Sequence, residues 1–378
     1  MRSGSSTRAT TAAAEPAGTE PGSHAILDAV LRGERVLIDV RAPVEFSRAR
    51  VPASVNLPIL TDAERKRIGI TYKQQGAAAA EKLGYRLVAG STRAARVAGW
   101  AEILKQQPDA LLCCWRGGLR SQIACRWLQE AGIAVERLAG GYQALRQRSL
   151  QILERWPAQT RLFLLGGRTG VGKTLVLNSL AATIDLEGLA SHRGSAFGQV
   201  AAEQPTPATF ENTLAGASLR TGGGPVLLED ESRTIGRLAL PEAWFAAMRE
   251  APILHLEASL AERVSLIHRD YIERPLTLGQ SEAELFRRYA GALQRIRKRL
   301  GGQRHSSILA ALQRGFSTND HAPWIEQLLS DYYDPSYDYQ LEKKLQRVIL
   351  RGSAAEIRDY WRSLTAASVG SDKPPHDD

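Results

Sequence analysis

The chain of 378 residues is long enough for two domains of ordinary size, and its 43% hydrophobic and 24% charged residues are typical of a soluble globular protein. No apolar run approaches the roughly 18 residues that suggest a membrane span, so we expect no membrane association. The net charge of +9 favours an acidic partner, nucleic acid before a membrane surface. Three cysteines, two of them adjacent, cannot form a disulfide framework, which predicts a cytoplasmic protein. We further expect it to act as a monomer.

The amino-terminal part of the chain changes character after residue 22. Residues 1–22 are rich in Ser, Thr, Ala, Gly and Arg and lack an apolar core segment, which predicts a disordered leader. Apolar residues at helical spacing begin at Ile26, and Val36–Val40 is a short apolar strand. These patterns predict a first domain over residues 23–148, followed by a linker helix over residues 149–160 that is broken at Pro157.

The segment Leu111–Ser121 predicts a strand, a loop and a helix, with Cys114 at the start of the loop. Two glycines in the loop would let backbone N–H groups converge on the sulfur, and the helix dipole and nearby arginines add positive potential. This environment favours the thiolate. Cys113 should point to the opposite face of the strand. The candidate catalytic residues are Cys114, Arg116 and Arg120.

Two motifs upstream of this loop, Asp39–Phe46 and Val51–Pro58, closely resemble those that open a rhodanese-like domain. The Cys-x5-Arg spacing of the loop occurs both in sulfur-transferring rhodaneses and in cysteine phosphatases. Most sulfurtransferase rhodaneses have a loop one residue tighter, and the wider loop suits a ligand larger than a persulfide. A long insertion that contains Tyr72 and Lys73 separates the second motif from the loop.

A phosphate-binding loop follows the first domain. The buried strand Arg161–Leu165 leads into G-x-x-x-x-G-K-T, with a helix after it. Backbone N–H groups of such a loop cradle phosphate oxygens, Lys173 would reach the outer phosphates, and the Thr174 hydroxyl can bind Mg²⁺. The candidate phosphate-binding residues are Gly167, Arg168, Thr169, Gly170, Val171, Gly172, Lys173 and Thr174. We therefore predict a P-loop NTPase-like α/β domain over residues 161–300.

Two further segments of this domain carry candidate ligands. The apolar strand Pro225–Leu228 is followed by three acids that can approach a phosphate-bound Mg²⁺, namely Glu229, Asp230 and Glu231. The sequence does not select one of them, and no other metal site is assigned. The glycine-rich segment 185–198 is typical of a loop that closes over a ligand. Its candidate residues are Asp185, Glu187, His192, Arg193 and Ser195.

The carboxyl-terminal part is predicted to be helical over residues 301–366, with a disordered tail over residues 367–378. In the predicted helix Glu284–Arg304 an apolar stripe lies beside a basic one. Candidate contacts to nucleic acid are Tyr72, Lys73, Arg288, Arg295 and Arg299. The predicted fold class is α/β, a rhodanese-like parallel-sheet domain followed by a P-loop domain with a helical C-terminal extension.

The motifs taken together, in their order, resemble the tRNA 2-selenouridine synthases from about Ile26 to Leu364. They are Tyr72–Gln74, Cys114–Ser121, Gly140–Tyr142, Gly166–Thr174, Asp185–Gly198, Phe210–Asn212, Glu229–Gly236 and Tyr332–Pro335. The resemblance implies a tRNA partner and conversion of its wobble 2-thiouridine to 2-selenouridine. It implies S-geranylation from geranyl diphosphate, then selenation from selenophosphate, with the essential cysteine at Cys114. An enzyme that supplies selenophosphate is a candidate partner.

Two questions stay open at this point. The P-loop could hold ATP or GTP, but geranyl diphosphate presents the same pair of phosphates and neither step needs ATP hydrolysis. Cys114 could carry selenium covalently or assist the displacement. The alternative functions are a rhodanese-type sulfurtransferase coupled to an ATP/GTP-binding P-loop domain, a cysteine phosphatase or kinase fusion, and a nucleotide-gated RNA-binding protein without chemistry.

Overall fold

The computed structural model of the chain describes residues 21–192, 197 and 203–370. The first helix begins at Pro21 and the last helix ends at Gly370, so both boundaries predicted for disordered ends fall inside helices. The rest of the predicted leader and tail lies outside the described residues. Within them, no helix combines the length and apolar character needed to cross a bilayer.

The first domain is built on a parallel sheet of four short strands in the order β2-β1-β3-β4. The strands are β1 Leu37–Asp39, β2 Ser54–Asn56, β3 Leu111–Cys113 and β4 Glu136–Arg137. The helices are α1 Pro21–Arg32, α2 Pro43–Arg48, α3 Asp62–Leu87, α4 Gly90–Gln106, α5 Leu119–Glu130 and α6 Gly141–Gln159. The central strands β1 and β3 are fully buried, as parallel strands covered on both faces are. Cys114 follows β3 at the carboxyl edge of the sheet.

The insertion between β2 and β3 is the helix pair α3 and α4. Helix α3 begins at a capping box, in which the Thr61 hydroxyl accepts from the Glu64 N–H at 3.2 Å and the Glu64 carboxylate accepts from the Thr61 N–H at 2.7 Å. The helix kinks at Gly76, whose φ of 83° favours glycine. Tyr72 and Lys73 lie exposed just before this kink.

The second domain has a five-stranded parallel sheet in the order β11-β10-β5-β7-β6 and a small antiparallel pair, β8-β9. The strands are β5 Leu162–Gly166, β6 Thr183–Ile184, β7 Val226–Glu229, β8 Thr234–Ile235, β9 Leu238–Ala239, β10 Ile253–Leu256 and β11 Val348–Gly352. The helices around it are α7 Lys173–Leu177, α8 Leu186–Leu189, α9 Pro207–Arg220, α10 Glu242–Glu250 and, at the end of the chain, α17 Ala354–Gly370. The phosphate-binding loop joins β5 to α7.

The helical region lies inside this second domain, between β10 and β11, and we call it the helical insertion. Its helices are α11 Leu260–His268, α12 Arg274–Thr277, α13 Glu282–Leu300, α14 Gly302–Thr318, α15 Ala322–Leu328 and α16 Asp334–Glu342. Two π-helical turns, Arg269–Glu273 and Leu329–Tyr333, interrupt them. The insertion has its own apolar core around Tyr289 and Trp324.

The chain returns to the sheet after this insertion, so the predicted terminal extension over residues 301–366 is wrong as a topology. Strand β11 pairs in parallel with β10, and Trp361 of α17 packs on Phe163 of β5 with ring centroids 5.5 Å apart. The predicted helix Glu284–Arg304 ends at Gly301, where φ is 86°. Strand β11 escaped prediction because it is a short edge strand whose partner is distant in sequence.

Helix α6 connects the two sheets. It runs unbroken through Pro157, so the predicted linker helix 149–160 is its second half. Its buried residues, among them Leu145 and Leu153, share one apolar core with residues of both sheets, such as Leu111 of β3 and Leu164 of β5. The two domains therefore pack as one unit around α6.

The packing of α1 against α9 gives a test of this shared core. A Cβ at Gly216 of α9 would lie 2.1 Å from the carbonyl oxygen of Leu31, so the two helix backbones touch there. We expect Gly216→Ala to lower the free energy of unfolding by about 1–3 kcal/mol, measured by denaturant titration. The matched control is Gly99→Ala in α4, where a Cβ meets nothing within 4 Å. That control should be neutral or stabilising by up to about 1 kcal/mol, and equal destabilisation by both changes would contradict the prediction.

Candidate active site

Cys114 is the first residue of the loop between β3 and α5, and its side chain is only 3% exposed. Its Sγ lies 3.2 Å from the Ser121 Oγ and 3.8 Å from the Gly118 carbonyl oxygen. The Ser121 hydroxyl also donates to that carbonyl at 3.0 Å, so its one hydrogen can turn to the sulfur when the thiol loses its proton. The predicted ring of backbone N–H groups around the sulfur is not found among the described residues.

The two adjacent cysteines lie on opposite faces of the first sheet, as strand alternation predicts. Cys113 belongs to the core shared with the second domain, whereas Cys114 belongs to the core beneath α4 and α5. Burial raises the pKa of the Cys113 thiol well above its usual range. Cys113 is therefore a protonated packing residue, and Cys114 is the cysteine at the loop.

The two candidate arginines of this loop are held by neighbouring side chains. Arg120 donates to both Glu45 carboxylate oxygens, at 2.5 and 3.1 Å, and Glu45 also pairs with Arg65 at 3.1 Å. Arg116 is exposed and donates from Nε to the Gln143 side-chain oxygen at 3.0 Å. Glu45 thus links the Asp39–Phe46 motif to the cysteine loop.

The first turn of α6 fixes the position of the cysteine loop. The N–H groups of Tyr142 and Gln143 donate to the carbonyl oxygens of Cys114 and Trp115, both at 2.9 Å. A Cβ at Gly141 would lie 2.3 Å from the Cys114 carbonyl oxygen, so a side chain there would push the loop away. The motif Gly140–Tyr142 is therefore the support of the loop.

The phosphate-binding loop has the backbone that its glycines predict. Gly167, Gly170 and Gly172 have φ values of 145°, 83° and 86°, which favour glycine. Lys173 donates from Nζ to the Gly167 carbonyl oxygen at 3.1 Å and closes the loop. The loop lines a cavity of about 640 Å³, and Thr174 lines it too.

The helical insertion also lines this cavity, with apolar residues beside polar ones such as Asp270, Arg274 and Gln340. Leu266 and Ile267 of α11, Tyr271 of the first π-helical turn and Leu341 of α16 line it. The cavity therefore offers a phosphate site together with a few aliphatic contacts.

Arg168 differs from the prediction. Its guanidinium donates to both carboxylate oxygens of Asp338 on α16, at 2.9 and 2.7 Å, and it does not line the cavity of the phosphate-binding loop. Its side chain is therefore committed to holding α16 against the loop.

The three acids after β7 have three different surroundings. Glu229 is buried, accepts from the Leu186 N–H at 2.6 Å and so caps α8, and it does not line the cavity. Asp230 accepts from Lys344 Nζ at 2.8 and 2.9 Å while lining the cavity. Glu231 also lines the cavity and remains the Mg²⁺ candidate of the three.

The predicted ligand loop reaches the cavity through Asp185, Glu187 and His192. Burial, and after it the charge of Glu231, raises the pKa of Glu187 to about 8. Burial lowers the pKa of His192. Arg193 and Ser195 lie outside the described residues.

A carboxyl-rich wall thus faces Lys173. Within the described ranges, no group of three or more His, Cys, Asp or Glu side chains could hold a metal ion by itself. Mg²⁺ commonly binds through one or two carboxylates, waters and substrate phosphates, and Glu231 with the Thr174 hydroxyl fits that pattern. A metal here would arrive with a phosphate ligand.

Sequence reasoning missed the residues of α16 that close the phosphate-binding loop. The Gly167 N–H donates to the Tyr337 hydroxyl at 2.6 Å. Arg263 of α11 is buried, donates to the Thr169 carbonyl oxygen at 2.9 Å, and pairs with Asp334 at 2.9 and 2.5 Å. The Tyr332–Pro335 motif is the one signal that could have indicated them, because it contains Asp334.

The candidate nucleic-acid contacts do not form one surface patch in the way their spacing predicts. Arg295 and Arg299 are exposed on α13, but Arg288 is half-buried, with its Cζ 5.0 Å from the centroid of the Tyr289 ring. Arg288 also donates to the Gln280 side-chain oxygen at 3.0 Å. Its side chain therefore stabilises the helical insertion.

The fold and the two loops define the class of protein: a rhodanese-like domain with a cysteine loop, joined to a P-loop domain. Family models agree, since residues 23–148 match the rhodanese-like domain and residues 160–367 match the tRNA 2-selenouridine synthase AAA domain. The predicted α/β fold class is confirmed.

Whole-chain relatives give the family. Proteins named tRNA 2-selenouridine synthase from Marinobacter nauticus and Hahella chejuensis are 44% and 45% identical to the chain, over 87% and 88% of it and 95% and 93% of their own lengths. One of the same name from Shewanella oneidensis is 43% identical over 89% of the chain and 94% of its own length. The chain belongs to the tRNA 2-selenouridine synthase family, which confirms the resemblance seen in its motifs.

The raised pKa of Glu187 predicts a pH-dependent stability in the absence of ligands. The folded state keeps this proton up to about pH 8, whereas the unfolded chain loses it near the ordinary value of 4.5. Stability therefore falls as pH rises through this window. We expect Glu187→Gln to raise the unfolding temperature at pH 8 but not at pH 4.5. Thermal unfolding at both pH values measures this, with Glu250→Gln on the exposed end of α10 as control; a gain that is equal at both pH values would refute it.

Proposed function

We propose that the chain is a tRNA-modifying transferase that converts wobble 2-thiouridine to 2-selenouridine. The relatives carry the name of that activity, and their sequences match almost the whole chain. In the proposal, S-geranylation from geranyl diphosphate comes first and selenation from selenophosphate follows. Action in the cytoplasm, as a monomer, with a selenophosphate-supplying enzyme as partner, is part of the same proposal.

The observation that carries the geranylation step is the phosphate-binding loop with aliphatic side chains in the same cavity. A diphosphate fits the backbone N–H groups and Lys173, and an isoprenoid chain would lie against Leu266, Ile267 and Leu341 of the same cavity. ATP or GTP would use the same phosphate site, but neither proposed step needs the hydrolysis of a nucleotide. We therefore favour geranyl diphosphate over a nucleotide.

Each step balances without an oxidant. In the first, the sulfur of thiouridine attacks C1 of the geranyl group, and the C–O bond breaks with its electron pair on diphosphate. Lys173 and the loop N–H groups stabilise that developing charge, and Mg²⁺ held by Thr174 and Glu231 would add to it. In the second, selenium of selenophosphate attacks C2 of the base, geranyl thiol leaves, and water removes the phosphate. Cys114 would assist this displacement, since carrying the selenium as a selenylsulfide would require a two-electron oxidant.

Substitutions in the two loops should therefore affect different steps of the reaction. We expect Lys173→Ala to reduce geranylation by about 10²–10³-fold, because the leaving diphosphate loses charge stabilisation, while selenation of tRNA that is already geranylated persists. Cys114→Ala should abolish selenation and preserve tRNA binding. Mass analysis of wobble nucleosides after incubation with geranyl diphosphate and selenophosphate measures both products.

The control for the cysteine is its neighbour. Cys113→Ala should remain active, because that thiol is protonated and packs in the shared core. Equal loss of both steps in Lys173→Ala would instead support a nucleotide-driven P-loop domain. Product formation that needs ATP but not geranyl diphosphate would refute the geranyl proposal.

Electrostatic contacts to tRNA predict a salt dependence. Each lost phosphate contact flattens the slope of log affinity against log salt by about 0.9, so replacing Arg295 and Arg299 with Gln should flatten it by up to about 1.8. Arg288→Gln is the matched control, since its half-buried side chain should affect stability and not the slope. Binding isotherms of tRNA from low to moderate salt measure it, and an unchanged slope in the double variant removes α13 from the tRNA surface.

A further inference from the structure

Trp115, the residue after Cys114, is 41% exposed. A single exposed aromatic side chain is ordinary on a protein surface, so exposure alone implies nothing. What sets Trp115 apart is the rigid support beneath it and the charges beside it.

The support is a stack of buried groups. The Trp115 ring centroid lies 5.4 Å from that of Tyr142, and the Arg41 Cζ lies 3.9 Å from the Tyr142 ring centroid. Arg41 and Tyr142 are both buried. Arg41 is in turn fixed by Asp39 at 2.6 Å, and the Tyr142 hydroxyl accepts from the Asn212 side chain at 3.1 Å.

The backbone of Trp115 is fixed as well. Its carbonyl oxygen accepts from the Gln143 N–H at 2.9 Å, in the first turn of α6. This backbone bond and the contact with the Tyr142 ring together hold the indole at the surface. A side chain held in this way loses little conformational entropy when a ligand stacks on it.

Two exposed cations belong to or contact the same loop. Arg116 is exposed and tied to Gln143 at 3.0 Å, and the exposed Arg137 donates to the Gly117 carbonyl oxygen of the same loop. An exposed indole on a loop that carries exposed cations suits a nucleobase with its adjacent phosphates. An isoprenoid chain would be better served by aliphatic side chains, which Leu266, Ile267 and Leu341 offer in the cavity of the P-loop domain instead.

We propose that Trp115 is the platform on which the wobble pyrimidine stacks, with its reacting edge at the Cys114 loop. The inference rests on the proposed function and adds the residue that positions the base. Trp115 acts by binding the base and takes no part in bond making. Stacking discriminates little between bases. Trp115 would therefore position the nucleotide, and the Cys114 loop would select the atom that reacts.

The test separates the base from the rest of the RNA. An end-labelled anticodon stem-loop RNA is titrated with 2-thiouridine at the wobble position and, in parallel, with an abasic site there. We expect Trp115→Ala to weaken binding of the thiouridine RNA by about 5- to 150-fold, and Trp115→Phe to retain most of it because phenylalanine also presents a stacking face. Binding of the abasic RNA should change by less than about twofold in either variant.

Leu119→Ala is the matched control, because that side chain is 47% exposed at the start of α5 and should change neither affinity. Equal losses for both RNAs in Trp115→Ala, or a Trp115→Phe variant as weak as Trp115→Ala, would overturn the stacking role. So would a loss confined to RNA that carries a geranyl group, which would assign the ring to the isoprenoid chain. If the unchanged protein binds no stem-loop RNA at low salt, the proposed function itself fails.

Discussion

The packing of α6 between the two sheets is the constraint on which both loops depend. Its first turn donates N–H groups to the cysteine loop, and its Tyr142 hydroxyl meets Asn212 of α9 in the second domain. Asn212 also donates to the Arg50 carbonyl oxygen at 2.9 Å. One short stretch of polar contacts thus places the cysteine loop relative to the P-loop domain, while the apolar core around α6 keeps both domains in register.

In the P-loop domain, too, a helix distant in sequence fixes the position of a loop. Its phosphate-binding loop is completed by α16, which comes from the helical insertion and returns across the carboxyl edge of the sheet. Arg263 joins the Thr169 carbonyl oxygen to Asp334, and its charge is compensated in a buried position. Breaking such a pair leaves an unpaired buried charge, which costs more than the pair contributes. The shape of the cavity therefore depends on the insertion as much as on the loop.

The acids around the cavity explain why residue type alone did not identify a metal site. Glu229, Asp230 and Glu231 are adjacent in sequence, yet one caps α8, one pairs with Lys344 and one lines the cavity beside Glu187. Successive side chains at the end of β7 point in different directions. The partner of Glu229 therefore lies on α8, and that of Asp230 just after α16. Residue type was equally insufficient for the arginines of α13. Only the structure shows that Arg288 packs on the Tyr289 ring while Arg295 and Arg299 are exposed.

The sequence by itself located both loops and indicated the α/β class and the family, because each loop motif is contiguous. It also specified the backbone of the phosphate-binding loop through its glycines, but not the surroundings of the Cys114 sulfur. It also placed Cys113 and Cys114 on opposite faces, since strand alternation is a local rule. Only the tertiary structure decided that β11 completes the second sheet, that α6 is one helix, and that Tyr337 and Arg263 close the phosphate-binding loop. Those contacts join residues far apart in the chain, and no local pattern encodes which distant partner a buried side chain meets.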